Sequence, residues 1–193
     1  MRACCSVWSI DSTQRIDRVK ARSFAGTVVQ RHAAHLARGA HPLIGTSEPP
    51  LTVAFQGGRS VAYFYPGFVL VAALDDSDFA LIDITDLEIQ HSESHFTETE
   101  TLPRDATVIG KTWAKANKNG SRDRRFAHNR ELPIARYGEV HLAGPGGLRE
   151  TLMISRSEPS VAFCAATREL KRILATAGSG RSLSKAKALQ SRR

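Results

Sequence analysis

The chain of 193 residues has little that would staple it, anchor it or mark it as an enzyme of a familiar type. It has three cysteines, Cys4, Cys5 and Cys164. Their number is odd, two are adjacent, and no CxxC spacing exists, so neither a disulfide framework nor the usual zinc site is expected. A reducing, cytoplasmic interior is the simpler context. No stretch reaches 18 apolar residues, and the richest run, Val61 to Leu74, is broken by Pro66-Gly67, so no membrane-spanning helix is expected. Asp11, Gln14 and Arg15 interrupt the N-terminus before a signal-peptide core can form. There is no phosphate loop, dinucleotide fingerprint or nucleophile elbow, and no internal repeat. No cofactor is therefore expected, and an enzyme less so than a binding protein.

What is present is an ordinary globular composition, 41% hydrophobic and 24% charged, with a net charge of +8. A chain of this length buries enough surface to hold a core without metal or disulfide. The charge is unevenly placed. Residues 61–102 hold 9 acidic side chains and no Lys or Arg. The flanking segments 1–60 and 103–150 are each net +5, and residues 151–193 are net +7. Opposite charges on neighbouring strands pair across a sheet. The first expectation is thus that the acidic block neutralises the basic segment that follows it. The competing one is a basic face left free for a polyanion.

Helical spacing of Ile16, Val19, Phe24, Thr27, Val28 and Leu36 predicts a basic helix over Ser12 to Arg38, stopped by Gly39 and Pro42. Gly45 to Pro50 reads as a linker. Strands are then predicted at Thr52–Phe55, Ser60–Tyr65, Phe68–Leu74 and Phe79–Ile84, followed by an alternating strand from Leu87 to His95. Val108–Ala116 and Arg124–His128 flank Asn117-Lys118-Asn119-Gly120, the signature of a β-hairpin turn. Leu132–Leu142 and Leu148–Ile154 form a further predicted antiparallel pair. Ser157-Glu158-Pro159 opens a helix whose predicted stop is Gly178-Ser179-Gly180. The expected organisation is residues 1–50 as a basic helix and linker, 51–177 as the β domain with its closing helix, and 178–193 as a basic tail, disordered or weakly helical. The fold class expected is α+β: an antiparallel bent sheet or β-roll with a C-terminal helix, preceded by an N-terminal helix.

Two groups of residues invite a chemical reading. His91, Glu93 and His95 share one strand face, and two imidazoles with a carboxylate suit a transition metal if a neighbouring strand adds a ligand. His128-Asn129 has two letters of an HNH nuclease, without a second ligand set. A solvated strand face and a loop explain these residues more simply, so no catalytic or metal site is assigned. Lys111 to Arg130 is more distinctive. It holds seven basic residues and one acidic residue, Asp123, interleaved with Trp113 and Phe126. Interleaved cations and aromatics grip phosphates and stack bases. Arg122, Arg124, Arg125 and Arg130, with Trp113, are the candidate ligand-binding residues. The partner expected is an acidic protein surface, a lipid head group or a nucleic acid.

The segment Trp113, Asn117-Lys118, Gly120, Asp123-Arg124-Arg125-Phe126, Asn129, Pro133 and Tyr137-Gly138 resembles an uncharacterised bacterial domain family. The resemblance spans roughly Val61 to Leu174. That family has no established activity, so the resemblance implies no catalytic residue. The order of elements, antiparallel strands closed by one helix, is also similar to that of pleckstrin-homology-like domains.

Overall fold

The computed structural model describes residues 6–15, 27–55, 60–75 and 78–190, with side chains through residue 177 apart from those of 11–15 and 27–29. Ten strands form one antiparallel sheet: β1 (Val7–Arg15), β2 (Thr27–Arg38), β3 (Leu51–Phe55), β4 (Ser60–Phe64), β5 (Phe68–Ala73), β6 (Phe79–Asp83), β7 (Glu88–Thr97), β8 (Thr107–Trp113), β9 (Glu131–Ala143) and β10 (Arg149–Ile154). One long helix follows, α1 (Ser157–Gln190). The spatial order is β6-β5-β4-β3-β2-β1-β10-β9-β7, with β8 also paired to β9. Among the described residues no helix is long and apolar enough to cross a membrane.

The sheet bends where β2 changes partner. Its first part pairs with β1 as far as Ala33, and from Ala34 it pairs with β3. Val53, Phe55, Val69 and Ile82 from one half share a single core with Val140, Leu142, Leu152 and Ile154 from the other. α1 adds Cys164 to that core, with Phe163, Leu170 and Leu174 packed against it. The Phe163 ring meets Phe64 edge-on, 5.6 Å between centroids. The expected α+β class with a bent antiparallel sheet and a C-terminal helix is what the chain adopts.

The N-terminal helix expected over Ser12 to Arg38 is not found in the described residues. Ser12 to Arg15 lie in β1 and Thr27 to Arg38 in β2, while residues 16–26 lie outside the description. Ala and Leu in His32-Ala33-Ala34-His35-Leu36 favour helix intrinsically, but a ladder that continues from β1 onto β3 along the strand outweighs tenths of a kcal/mol in propensity. The predicted pair Leu132–Leu142 with Leu148–Ile154 is present as β9 and β10, joined by a 3-10 turn at Pro145–Gly147. Gly146 and Gly147 there take φ of 72° and 84°, the left-handed region that glycine enters at no steric cost. The predicted helix start at Ser157 is also seen, but the helix does not stop at Gly178-Ser179-Gly180 and continues to Gln190. Two glycines cost a helix about 1 kcal/mol each, and the Ala, Leu, Lys and Arg that follow are good helix formers.

The first turn of α1 sits on β9. Gly138 makes this possible, because a Cβ there would collide with Ser160 Oγ and approach Ser157 Cα to 2.8 Å. Gly138 is also where the edge of β9 changes hands. Glu131 to Arg136 pair with β8, and Gly138 to Ala143 pair with β10.

Candidate functional site

β8 and β9 form a hairpin, but not the tight one the Asn-Gly turn predicts. Trp113 pairs with Glu131, and the residues between them fold as a long loop closed by a single bridge, Ala116 to Arg122. Arg124 to His128 are not a strand. The loop's polar side chains turn inward and hold its own backbone. Asn129, which is buried, accepts from Lys115 N–H and donates to the carbonyls of Lys115 and Asp123. Asn117 Nδ2 donates to Ser121 Oγ and to the Arg122 carbonyl. Asn119 Oδ1 accepts from both the N–H and the hydroxyl of Ser121. Gly120 takes φ of 82° at the tip. These short side chains supply turn hydrogen bonds that a ladder would otherwise provide.

The interior frame leaves the guanidinium groups outside. Arg125 lies on the buried Asp123 in a bidentate pair, with Nε 2.9 Å from Oδ1 and Nη2 2.6 Å from Oδ2. Asp123 accordingly holds the Arg125 guanidinium charged, with its pKa above the ordinary value. Arg122 stacks over the Trp113 ring, 5.3 Å from its centroid, and donates to the Ala127 carbonyl. Arg124 is exposed and makes no hydrogen bond or ion pair with the described residues. Asn117, Ser121, Arg122, Asp123, Arg124 and Arg125 surround an open hollow of about 460 Å³. Arg130 stands apart and donates to the Thr99 carbonyl at 2.8 Å. The structure thus brings Trp113, Arg122, Arg124 and Arg125 together and sends Arg130 to a structural contact.

The expected neutralisation of this basic segment by the acidic block is not what the contacts show. Arg125 takes Asp123 of its own loop, and Lys111 takes Glu131 across the β8–β9 ladder. The block's Glu98 and Glu100 instead take Arg31 of β2, a residue the sequence reading placed in an amphipathic helix.

Arg31 belongs to a site that spacing alone does not reveal. Its guanidinium lies between the rings of Trp8 and Phe96, 4.4 Å and 4.6 Å from their centroids. Nη2 is 2.6 Å from Glu98 Oε1, and Tyr137 donates its hydroxyl to Glu98 Oε2 at 2.8 Å. Glu98 has no exposed side-chain surface. Burial alone would raise its pKa, but Arg31, the Tyr137 hydroxyl and the Glu100 N–H together hold it below the ordinary value. Burial and Glu98 push the Tyr137 phenol above its ordinary range. The residues are 31, 98 and 137, so no local motif could have marked them.

The histidine rows have packing roles. His91 Nδ1 is 2.9 Å from Ser160 Oγ, and Ser157 donates to Glu93, so both residues receive the first turn of α1. A carboxylate there complements the positive end of the helix. Among the described residues no three His, Cys, Asp or Glu side chains converge as a metal-ligand set. On the opposite face Ser92 Oγ is 2.8 Å from His141 Nε2, with Thr151 on Nδ1 and Glu139 3.5 Å from the same Nε2. A nucleophilic relay needs the orienting carboxylate on the other ring nitrogen, so this cluster lacks the arrangement of a triad. Cys164 is buried, and burial raises its thiol pKa, which makes it a poor nucleophile.

Comparison with protein-family models, curated proteins and solved structures finds no match for the chain.

Proposed function

We propose that the chain is a non-enzymatic binding module that takes an anionic partner at the 114–130 loop through Arg122, Arg124 and Arg125. One observation carries this reading. A loop far longer than a hairpin needs is held by its own Asn and Asp side chains, while Arg122, Arg124 and Arg125 stand among the residues that line an open hollow. Ordered loops of this length are uncommon in compact domains and are usually functional. Pre-formed cation positions lower the entropy cost of binding, and Arg offers planar, bidentate donors to carboxylate or phosphate. With seven cations against one acid between Lys111 and Arg130, anions are drawn to this end of the molecule.

Arg124→Glu tests it. Arg124 has no described partner, so the substitution leaves the loop frame intact, whereas Arg125→Glu would set two carboxylates side by side. Polyglutamate and a single-stranded oligonucleotide serve as probes in fluorescence anisotropy. Arg124→Glu is expected to weaken binding of at least one probe about tenfold or more, roughly 1.4 kcal/mol, with an unchanged melting temperature. Equal affinity for the variant and the parent chain rejects the site. Base stacking on Trp113 is not favoured as the mode of contact, because Arg122 already covers one face of that ring.

A further inference from the structure

Three strands of the described sheet have a partner on one side only. β6 pairs with β5, and β7 and β8 each pair with β9. An edge strand turns about half of its amide N–H and C=O groups outward, which makes it a template for another strand. The edges differ in charge. β6 and β7 lie within the acidic block, with Asp83, Glu88 and Glu93 along them and Asp78 just before β6. β8 has no acidic residue, carries Lys111, and leads into the arginine loop.

β8 also has apolar surface in an unusual place. Its register with β9 shifts between Val108 and Gly110, leaving Ile109 without a cross-strand partner. Successive residues of a regular strand point to opposite faces, and a bulge relaxes that rule. Val108 and Ile109 are both exposed, at 45% and 44%. At the other end of the strand, the stack of Arg122 on Trp113 fixes a guanidinium beside the last residue of β8. Val108 and Trp113 are five residues apart, which spans about 17 Å of strand.

We infer that the free edge of β8 together with Arg122 and Arg124 is a docking site for an extended acidic peptide of a partner protein, which adds as a strand to β8. The inference rests on the anion-binding reading above and names its ligand. Main-chain hydrogen bonds along the edge supply affinity. Acidic side chains at the Trp113 end meet Arg122 and Arg124, and apolar side chains at the other end meet Val108 and Ile109. The basic surroundings select an acidic strand and reject a basic one.

The test uses the full chain and two fluorescein-labelled peptides. One is Glu-Asp-Glu-Thr-Val-Thr-Val and the other is its reversed order, so both strand directions are covered. Each is also made with alternate backbone amides N-methylated, which removes edge hydrogen bonding and keeps every side chain. The expected result is that one peptide binds, and that N-methylation and Arg124→Glu each weaken it at least tenfold. If the N-methylated peptide binds equally well, the strand-addition proposal falls and the anion reading stands. The same holds if neither peptide binds while an oligonucleotide or a phosphatidylserine vesicle binds in an Arg124-dependent way. If the chain alone forms a dimer in sedimentation that excludes the peptides, a second copy occupies the edge and the proposal falls. If no anionic probe binds at all, both readings fall.

Discussion

Arg31 is the side chain on which the outer face of the sheet depends. It sits between two aromatic rings, is 91% buried by its 9% side-chain exposure, and spends its charge on Glu98. Such a pair adds little relative to an apolar replacement, but removing one partner strands the other charge in the interior. Glu98→Ala is therefore expected to cost about 3–5 kcal/mol in urea unfolding, and Glu98→Gln less, because the amide oxygen can still accept from Arg31 while its NH2 donates to the Tyr137 hydroxyl oxygen. The trio also sets a pH dependence. Glu98 has a lowered pKa in the folded chain, so below the ordinary glutamate value of 4.5 the unfolded chain gains protons first and stability falls as pH falls. Tyr137 has a raised pKa, so above the ordinary tyrosine value of 10.0 the unfolded chain loses its proton first and stability falls as pH rises. Glu98→Gln should shrink the acid arm of that profile, leaving what Asp83, Glu158 and Glu169, also held below their ordinary values, contribute. An unchanged acid arm in the variant would assign the loss to other carboxylates.

At the scale of elements, Gly138 and the 114–130 loop each do something a regular strand or turn cannot. Gly138 lets α1 rest on β9 at the point where β8 gives way to β10. Gly138→Ala forces the helix start away from the sheet and is expected to destabilise by about 1–3 kcal/mol, read as a lower unfolding midpoint. Ser160→Ala in the same chain should recover part of the loss, since Ser160 Oγ is the nearest atom to the added methyl. The strands from Leu51 onward were legible because their Val, Phe and Tyr alternate between turn residues, a local property. β2 was not, since its helical spacing is a fair local reading that pairing with β1 and β3 overrides. The arginine loop was half legible. Asn-Gly marked the turn, but the bonds of the buried Asn129 to Lys115, across the loop, are non-local.

For the whole molecule, the charge stays as uneven in the fold as it is along the chain. The acidic block supplies β6 and β7, and the loop between β8 and β9 supplies the exposed cations. The last basic segment lies at the end of α1, past Leu174, the last of the described helix side chains packed against the core. Truncation after residue 177 is thus expected to leave the unfolding free energy within about 0.5 kcal/mol. The same truncation removes five basic residues and should flatten the salt dependence of polyanion binding without abolishing the effect of Arg124→Glu. A large loss of stability would show that the helix beyond residue 177 packs on the domain.

Composition and local pattern determined the α+β class, most of the strands, the C-terminal helix and the uneven charge. Each of these rests on residues near one another in the chain. Tertiary structure decided the rest: the strand state of residues 27–38, the Arg31–Glu98–Tyr137 contact, and which arginines stay unpaired. Those depend on partners up to 67 residues apart. Folding alone brings such groups within hydrogen-bond distance, and only then does the contest between burial and pairing have an outcome.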